Sequence, residues 1–287
     1  MTLRTPALTT FLTGNPDAIA AELTSVRGSS PREQGTFMLV GRTEIFGTIG
    51  GGALEHMVIA HARRLIANCQ AESAMDVPLG PEIGQCCGGR VEVSLRYADA
   101  ALRAELAARI VAEDAAQTHV YIFGAGNVGT ALARMLALLP VHAHVIDTRS
   151  EELIGLPDNV DARAVPMPEA VVRNAPEGSA YVILTHDHAL DFLIAHEALK
   201  RLDSPYIGMV GSLTKRARFT SWYLAEGGDR AALDRLILPI GNRGLGDKRP
   251  EVIAALAAAE IMVHIGRREA EIEQAQGPRT LGAVHGR

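Results

Sequence analysis

The period of apolar and polar positions changes several times along the first hundred residues, and each change marks an element. Ile19 to Val26 and Thr36 to Val40 are short apolar-rich runs of strand length. Between them, Gly28-Ser29-Ser30-Pro31-Arg32 reads as a turn or loop. Ile45 to Ile49 leads into Gly50-Gly51-Gly52, and from Ala53 to Ala67 the apolar positions Leu54, Val58 and Leu65 recur at helical spacing. The glycine run thus sits directly before a helix, where unpaired N–H groups and the positive dipole end can receive an anion. Val91 to Tyr97 alternates like a half-buried strand, and Ala100 to Ala116, alanine-rich and free of Gly and Pro, reads as a helix linking two domains.

The second half opens on the apolar run Val120 to Phe123, followed by Gly124-Ala125-Gly126-Asn127-Val128-Gly129 and helical patterning from Thr130 to Leu139. Val145-Ile146 is the next strand, and it ends in Asp147. Strand, G-x-G-x-x-G, helix, strand and acid stand in the order of a dinucleotide-binding unit. Tyr181 to Leu184 and Tyr206 to Val210 add buried-strand candidates, Glu251 to Ile265 reads as a late helix with Pro250 in its first turn, and the chain from Gln274 onward as frayed. The expected fold class is α/β: an N-terminal α/β domain (1–99), a linker helix (100–116), a Rossmann-like parallel-sheet domain (117–273) and a flexible tail (274–287).

Composition narrows the function classes. The 287 residues are 47% hydrophobic, 21% charged and 4% aromatic, with a formal net charge of −5. Few stacking platforms and no basic excess argue against a nucleic-acid partner. No apolar run approaches the roughly 20 residues that span a bilayer, and no signal peptide is evident, so no membrane partner is expected and a cytoplasmic location is. Three cysteines, two of them adjacent, do not build a disulfide framework.

Four stretches carry candidate chemistry. In Gly84-Gln85-Cys86-Cys87-Gly88-Gly89, glycines let backbone approach a ligand while two soft sulfurs face it, or two small thiols are buried in a tight turn. Adjacency rules against the spacing of a structural zinc site. Gly124, Gly126 and Gly129 can admit a pyrophosphate, and Asp147 a ribose diol, although Arg149 weakens discrimination against a 2′-phosphate. Thr185-His186-Asp187-His188-Ala189-Leu190-Asp191 follows a strand, where His186 and His188 on extended chain would face one side. It resembles the H-x-H-x-D-H run of metallo-β-lactamase-type hydrolases, with the acid one position late and no histidine after it; helix capping by Asp187 or Asp191 is the plainer reading. Gly211-Ser212-Leu213-Thr214-Lys215-Arg216-Ala217-Arg218 offers hydroxyls and three cations that suit a phosphate, Ser212 among them, or else a solvated first helical turn.

Taken together these stretches resemble the XdhC/CoxI family, accessory proteins of molybdenum hydroxylases such as xanthine dehydrogenase. The resemblance rests on Gly28 to Arg32, Gly47 to Glu55, Gly84 to Gly89, Gly124 to Gly129, Thr185 to His188, Gly208 to Ser212 and Pro239 to Gly241. It implies an insertion chaperone, not a turnover enzyme. Such a protein binds the molybdenum cofactor (molybdopterin), holds it while a cysteine desulfurase supplies the terminal sulfido ligand, and delivers it to the hydroxylase apoenzyme; a homodimer is implied as well. On that reading Cys86 or Cys87 contacts the metal, and Gly51, Gly52, Glu55, Arg32 and Gln85 line the cofactor site. The Rossmann-like half, through Gly124, Gly126, Gly129, Asp147, His186, His188 and Ser212, completes that site or binds a nucleotide. One departure stands out: the family's usual Thr-Pro-Glu-Glu before the last helix is Arg249-Pro250-Glu251-Val252 here. The alternatives are an NAD-dependent oxidoreductase using the glycine fingerprint and a metal-dependent hydrolase centred on His186 and His188.

Overall fold

The computed structural model describes residues 4–81, 88–241 and 246–276. The chain divides into two compact units between Ala115 and Ala116. The first holds α1 (Arg4–Gly14), β1 (Ile19–Arg27), β2 (Phe37–Val40), β3 (Ile45–Gly47), α2 (Gly52–Ala67), β4 (Glu72–Pro78), β5 (Arg90–Tyr97) and α3 (Ala100–Ala115). Its strands form one sheet in the order β3-β2-β1-β5-β4, each neighbouring pair antiparallel. Alternation sends successive side chains to opposite faces. Ile19, Ala21, Leu23, Met38 and Val40 pack under Leu54, Val58, Ala62 and Leu65 of α2. Ala20, Phe37 and Leu39 pack under Leu8, Phe11 and Leu12 of α1 and Leu102, Leu106 and Ile110 of α3. The stretch read as a linker helix therefore contributes an apolar stripe to the first unit's core.

The second unit runs β6 (His119–Phe123), α4 (Asn127–Leu136), β7 (His142–Asp147), β8 (Asp161–Ala164), α5 (Pro168–Asn174), β9 (Ala180–Ile183), α6 (His188–Leu199), β10 (Ile207–Met209), α7 (Leu213–Ala225), β11 (Leu236–Ile237) and α8 (Pro250–Gln276). All six strands are parallel, in the order β11-β10-β9-β6-β7-β8. From β8 inward this is the doubly wound order 3-2-1-4-5-6, whose direction reverses between β6 and β9. Val120, Ile122 and Val145 face α4 and α8, while Tyr121, Phe123, Tyr181 and Ile183 face α5, α6 and α7.

Three expectations shift. The fingerprint helix begins at Asn127, so Gly129 lies inside its first turn. The last helix continues to Gln276, past the point expected to fray, because its final turns remain strong helix formers. His186 and His188 do not share an extended strand, since His188 already opens α6. Among the described residues no helix is long and apolar enough to cross a membrane.

Candidate functional site

In the first unit, three motifs far apart in sequence meet at one end of the sheet. β1 leaves through Gly28 to Arg32, β3 leaves through Thr48 to Gly51, and Gly88-Gly89 enter β5 opposite Arg27. The packing is backbone against backbone. A Cβ on Gly89 would sit 2.1 Å from the Ser29 carbonyl oxygen, and one on Gly28 would sit 3.2 Å from the Gly89 Cα. Gly50, at φ 136°, packs against Pro31, with the Pro31 Cγ 2.7 Å from where its Cβ would be. The Gly88 N–H donates to the Leu79 carbonyl and the Leu79 N–H to the Gly89 carbonyl, both at 2.8 Å. These bonds tie the base of the segment that carries Gln85, Cys86 and Cys87, which lie outside the described residues.

Glu55 braces the turn into α2. Its Oε1 accepts from the Thr48 hydroxyl at 2.6 Å and from the Ile49 N–H at 3.1 Å, while Oε2 lies on the Gly51 side. Gly51 and Gly52 hold φ values of 76° and 64°, and Gly51 caps α2 with no side-chain hydrogen bond to its first N–H groups. Arg32 and Thr48 line a cavity of about 380 Å³ with Gly35, Thr36, Phe37 and Glu113. That volume falls at the lower end of small-ligand pockets.

In the second unit, the glycine fingerprint is partly spent on packing. A Cβ on Gly124 would meet the Leu184 carbonyl at 2.4 Å, and one on Gly129 would meet the Gly124 carbonyl at 1.9 Å; Gly126 has open space. Gly126 caps α4 without a side-chain bond and borders a cavity of about 790 Å³. Asp147 is buried, and its carboxylate accepts four bonds: the Ala125 N–H (2.8 Å), the Arg149 N–H (3.0 Å), and the Arg149 Nε (3.1 Å) and Nη2 (3.2 Å). A carboxylate has about four lone-pair sites, so none is left for a ribose diol. Burial alone would raise the Asp147 pKa, but the guanidinium and the two N–H donors outweigh it and hold the group below its ordinary value.

The other two motifs are also bound up in the fold. Asp187 caps α6, accepting the Ala189 N–H at 2.7 Å, and Ser212 caps α7, accepting the Lys215 N–H at 3.2 Å. His186 and His188 are exposed. Among the described residues no three His, Cys, Asp or Glu side chains converge to hold a metal ion. Of the three cations expected to meet a phosphate, Lys215 is buried, pairs with Asp191 and donates to the Val210 carbonyl at 2.8 Å. Arg216 donates to the Leu236 and Leu238 carbonyls at 3.2 and 3.1 Å, and only Arg218 is exposed.

Residues 14–76 match the model described as the XdhC and CoxI family, and residues 120–261 match the XdhC Rossmann domain. The chain belongs to the XdhC family. Escherichia coli (strain K12) YqeB, an uncharacterized protein, is 26% identical over 258 residues, which is 84% of this chain and 42% of YqeB. This XdhC-family chain therefore spans about two fifths of that relative's length. A Bacillus halodurans protein described as a xanthine dehydrogenase shares the fold, with a TM-score of 0.78 over 97% of this chain and 98% of its own at 21% identity. The two XdhC models take in the Gly28, Gly47, Gly124, Thr185, Gly208 and Pro239 motifs; the cysteine pair falls between them.

Sequence reasoning missed two constellations in this XdhC-family chain. One is the Asp191–Lys215 pair, for which the spacing offers no cue because the partners stand on different helices. The other is a row across β6, β7 and β8, in which His119 Nδ1 and His144 Nε2 stand 2.8 Å apart and His144 Nδ1 bonds Asp161 at 2.8 Å. The His142-Ala143-His144 alternation, read at strand period, signals that two imidazoles share a face.

Proposed function

We propose that this chain carries the molybdenum cofactor to a hydroxylase of the xanthine dehydrogenase type, acting as a maturation factor and not as a turnover enzyme. Membership of the XdhC family supports the maturation role. The observation that carries the finer reading is the convergence of the Gly28–Arg32, Thr48–Gly52 and Gly88–Gly89 segments around one end of a single sheet. The cofactor is cargo here: a pterin dithiolene with a phosphate and a metal. Arg32 would neutralise the phosphate beside the free first-turn N–H groups of α2. Glu55 Oε2, on the Gly51 side, suits the paired N–H donors of a pterin's amino-pyrimidine edge. The Gly88–Leu79 bonds hold Gly88 and Gly89 at this end of the sheet, Cys86-Cys87 directly precede them in sequence, and a soft sulfur would match molybdenum. The rest of the reading has a cysteine desulfurase supply the sulfido ligand while the chain holds the cargo, and has the chain act as a homodimer.

The NAD-linked alternative loses its ribose acceptor, since all the acceptor sites of Asp147 are taken. The test is anaerobic incubation with molybdenum cofactor, desalting, and measurement of molybdenum and pterin. Stoichiometric retention is expected in the natural chain, with loss in a Cys86→Ser/Cys87→Ser variant and weakening in Arg32→Ala. No retention by the natural chain would refute the carrier reading.

A further inference from the structure

The cavity of about 790 Å³ beside the glycine fingerprint has walls of a kind that a dinucleotide does not call for. α4 lines it at helical spacing with Asn127, Thr130, Arg134 and Met135, and Leu138 follows in the turn past the helix end. This wall is polar near Gly126 and apolar at its far end. Leu138 is 87% exposed, and Ile154, across the cavity, is 82% exposed. Glu151, Glu152 and Glu251 line the same space; Glu152 is paired with Arg149 at 2.9 Å, which leaves Glu151 and Glu251 against Arg134 among the described lining residues. Phosphates would meet an acidic excess there, and Asp147 has no acceptor left for a sugar.

We propose that this groove docks a partner protein through a segment in which Lys or Arg side chains flank an aliphatic residue. The aliphatic side chain would cover Leu138, Ile154 and Met135, and the cations would pair with Glu151 and Glu251. Two bulky aliphatics at more than four-fifths exposure, bordering one concave and acidic surface, form an apolar patch rimmed by charge, the composition of an interaction site. Charge complementarity selects a basic segment and sets its register, while apolar contact supplies most of the affinity. The inference does not depend on the cofactor reading, because none of its residues belongs to the first unit.

The probe is fluorescein-labelled Gly-Lys-Ala-Leu-Lys-Ala-Leu-Lys-Gly, titrated with the full chain and read by anisotropy. Binding is expected to weaken about tenfold in Leu138→Ser/Ile154→Ser, from the lost apolar contact. It is expected to weaken severalfold in Glu151→Gln/Glu251→Gln and with rising salt. Leu202→Ser removes an aliphatic that is 82% exposed elsewhere in the same unit and is expected to change nothing. Absence of binding, equal binding of a peptide with glutamate for lysine, or indifference to the groove substitutions would each overturn the proposal. Displacement of the probe by NAD, with NAD binding lost in the same variants, would also overturn it and make the groove a nucleotide site.

Discussion

Removing one partner of the Asp191–Lys215 pair tests whether the loops at the carboxyl end of the second sheet are pinned from beneath. Asp191 is fully buried and Lys215 is 8% exposed. Asp191 Oδ1 accepts the Thr185 N–H at 3.0 Å and the Thr185 hydroxyl at 2.7 Å, and Oδ2 receives Lys215 Nζ. Asp191→Asn keeps an oxygen for Thr185 but turns an amide toward a buried ammonium that has lost its counter-charge. Breaking a buried pair in this way costs about 3–5 kcal/mol. In a domain of this size each kcal/mol moves Tm by about 2–4 °C, so a fall of roughly 6–20 °C is expected. Lys215→Met should cost less, because the carboxylate left behind still accepts two bonds from Thr185. The double variant removes both charges and should be more stable than Asp191→Asn alone, with a coupling of about 2 kcal/mol or more. Trp222, the single tryptophan, stands on α7 two turns beyond Lys215, so its fluorescence during urea unfolding reports this unit. A loss below about 1 kcal/mol in Asp191→Asn, or simple additivity in the double variant, would refute the pinning argument.

Two further outcomes are expected. Gly89→Ala places a methyl 2.1 Å from the Ser29 carbonyl and 2.9 Å from that of Arg27, both backbone atoms that cannot swing aside, so a loss of about 3 kcal/mol or more is expected by calorimetry. Gly88→Ala, at φ 69° with open space around it, should lose only about 1 kcal/mol; equal losses would sink the close-packing account. Burial, with His144 and His142 beside it, lowers the His119 pKa from 6.5 to about 4. The unfolded chain takes up that proton first as pH falls, so the contribution of His119 is whole above about pH 6.5 and lost toward about pH 4. His119→Gln should flatten the dependence of urea stability on pH across that window, and an unchanged slope would count against the assignment.

The sheets were legible in the sequence where strands are buried and ran silent where they are not. β6 and β9 are continuous apolar runs ending at glycine or at a polar turn, and that pattern bounds both to within a residue or two. β8 has four exposed residues and no apolar signal, and β4 exposes alternate positions at a sheet edge; neither was expected. α1 starts without an acidic residue in its first turn, which left no capping cue. Within the candidate sites, residue types were readable but their commitments were not. Asp147, Asp187 and Ser212 are the same acids and hydroxyls whether they cap a helix, brace a turn or meet a ligand. Only the bond partners separate those roles, and partners such as Arg149 and Ala125 follow from the turn geometry.

That distinction also sorts the helices that open at the motif loops. α6 begins at Asp187, which accepts the Ala189 and Leu190 N–H groups, and α7 at Ser212, which accepts that of Lys215, so each terminus is partly capped by its own side chain. α2 and α4 begin at Gly51 and Gly126, which offer no such bond, although glycine trails serine, threonine or aspartate at a cap by only a few tenths of a kcal/mol. Packing explains Gly28, Gly50, Gly89, Gly124 and Gly129, where a Cβ would meet neighbouring atoms, most of them backbone, at 3.2 Å or less. It does not explain Gly126, which has open space; Gly51, whose nearest neighbour is a carboxylate oxygen at 4.0 Å, is held to glycine by its φ of 76° instead. A glycine cap leaves the first-turn donors without a side-chain acceptor. In the first unit that opening coincides with Arg32 and the returning Gly88-Gly89 segment, which suits an anionic cargo. In the second it coincides with Glu151, Glu152 and Glu251, which does not. On the two proposals made above, the same local device would serve different partners in the two units, with the surrounding charge, not the glycine motif, deciding which.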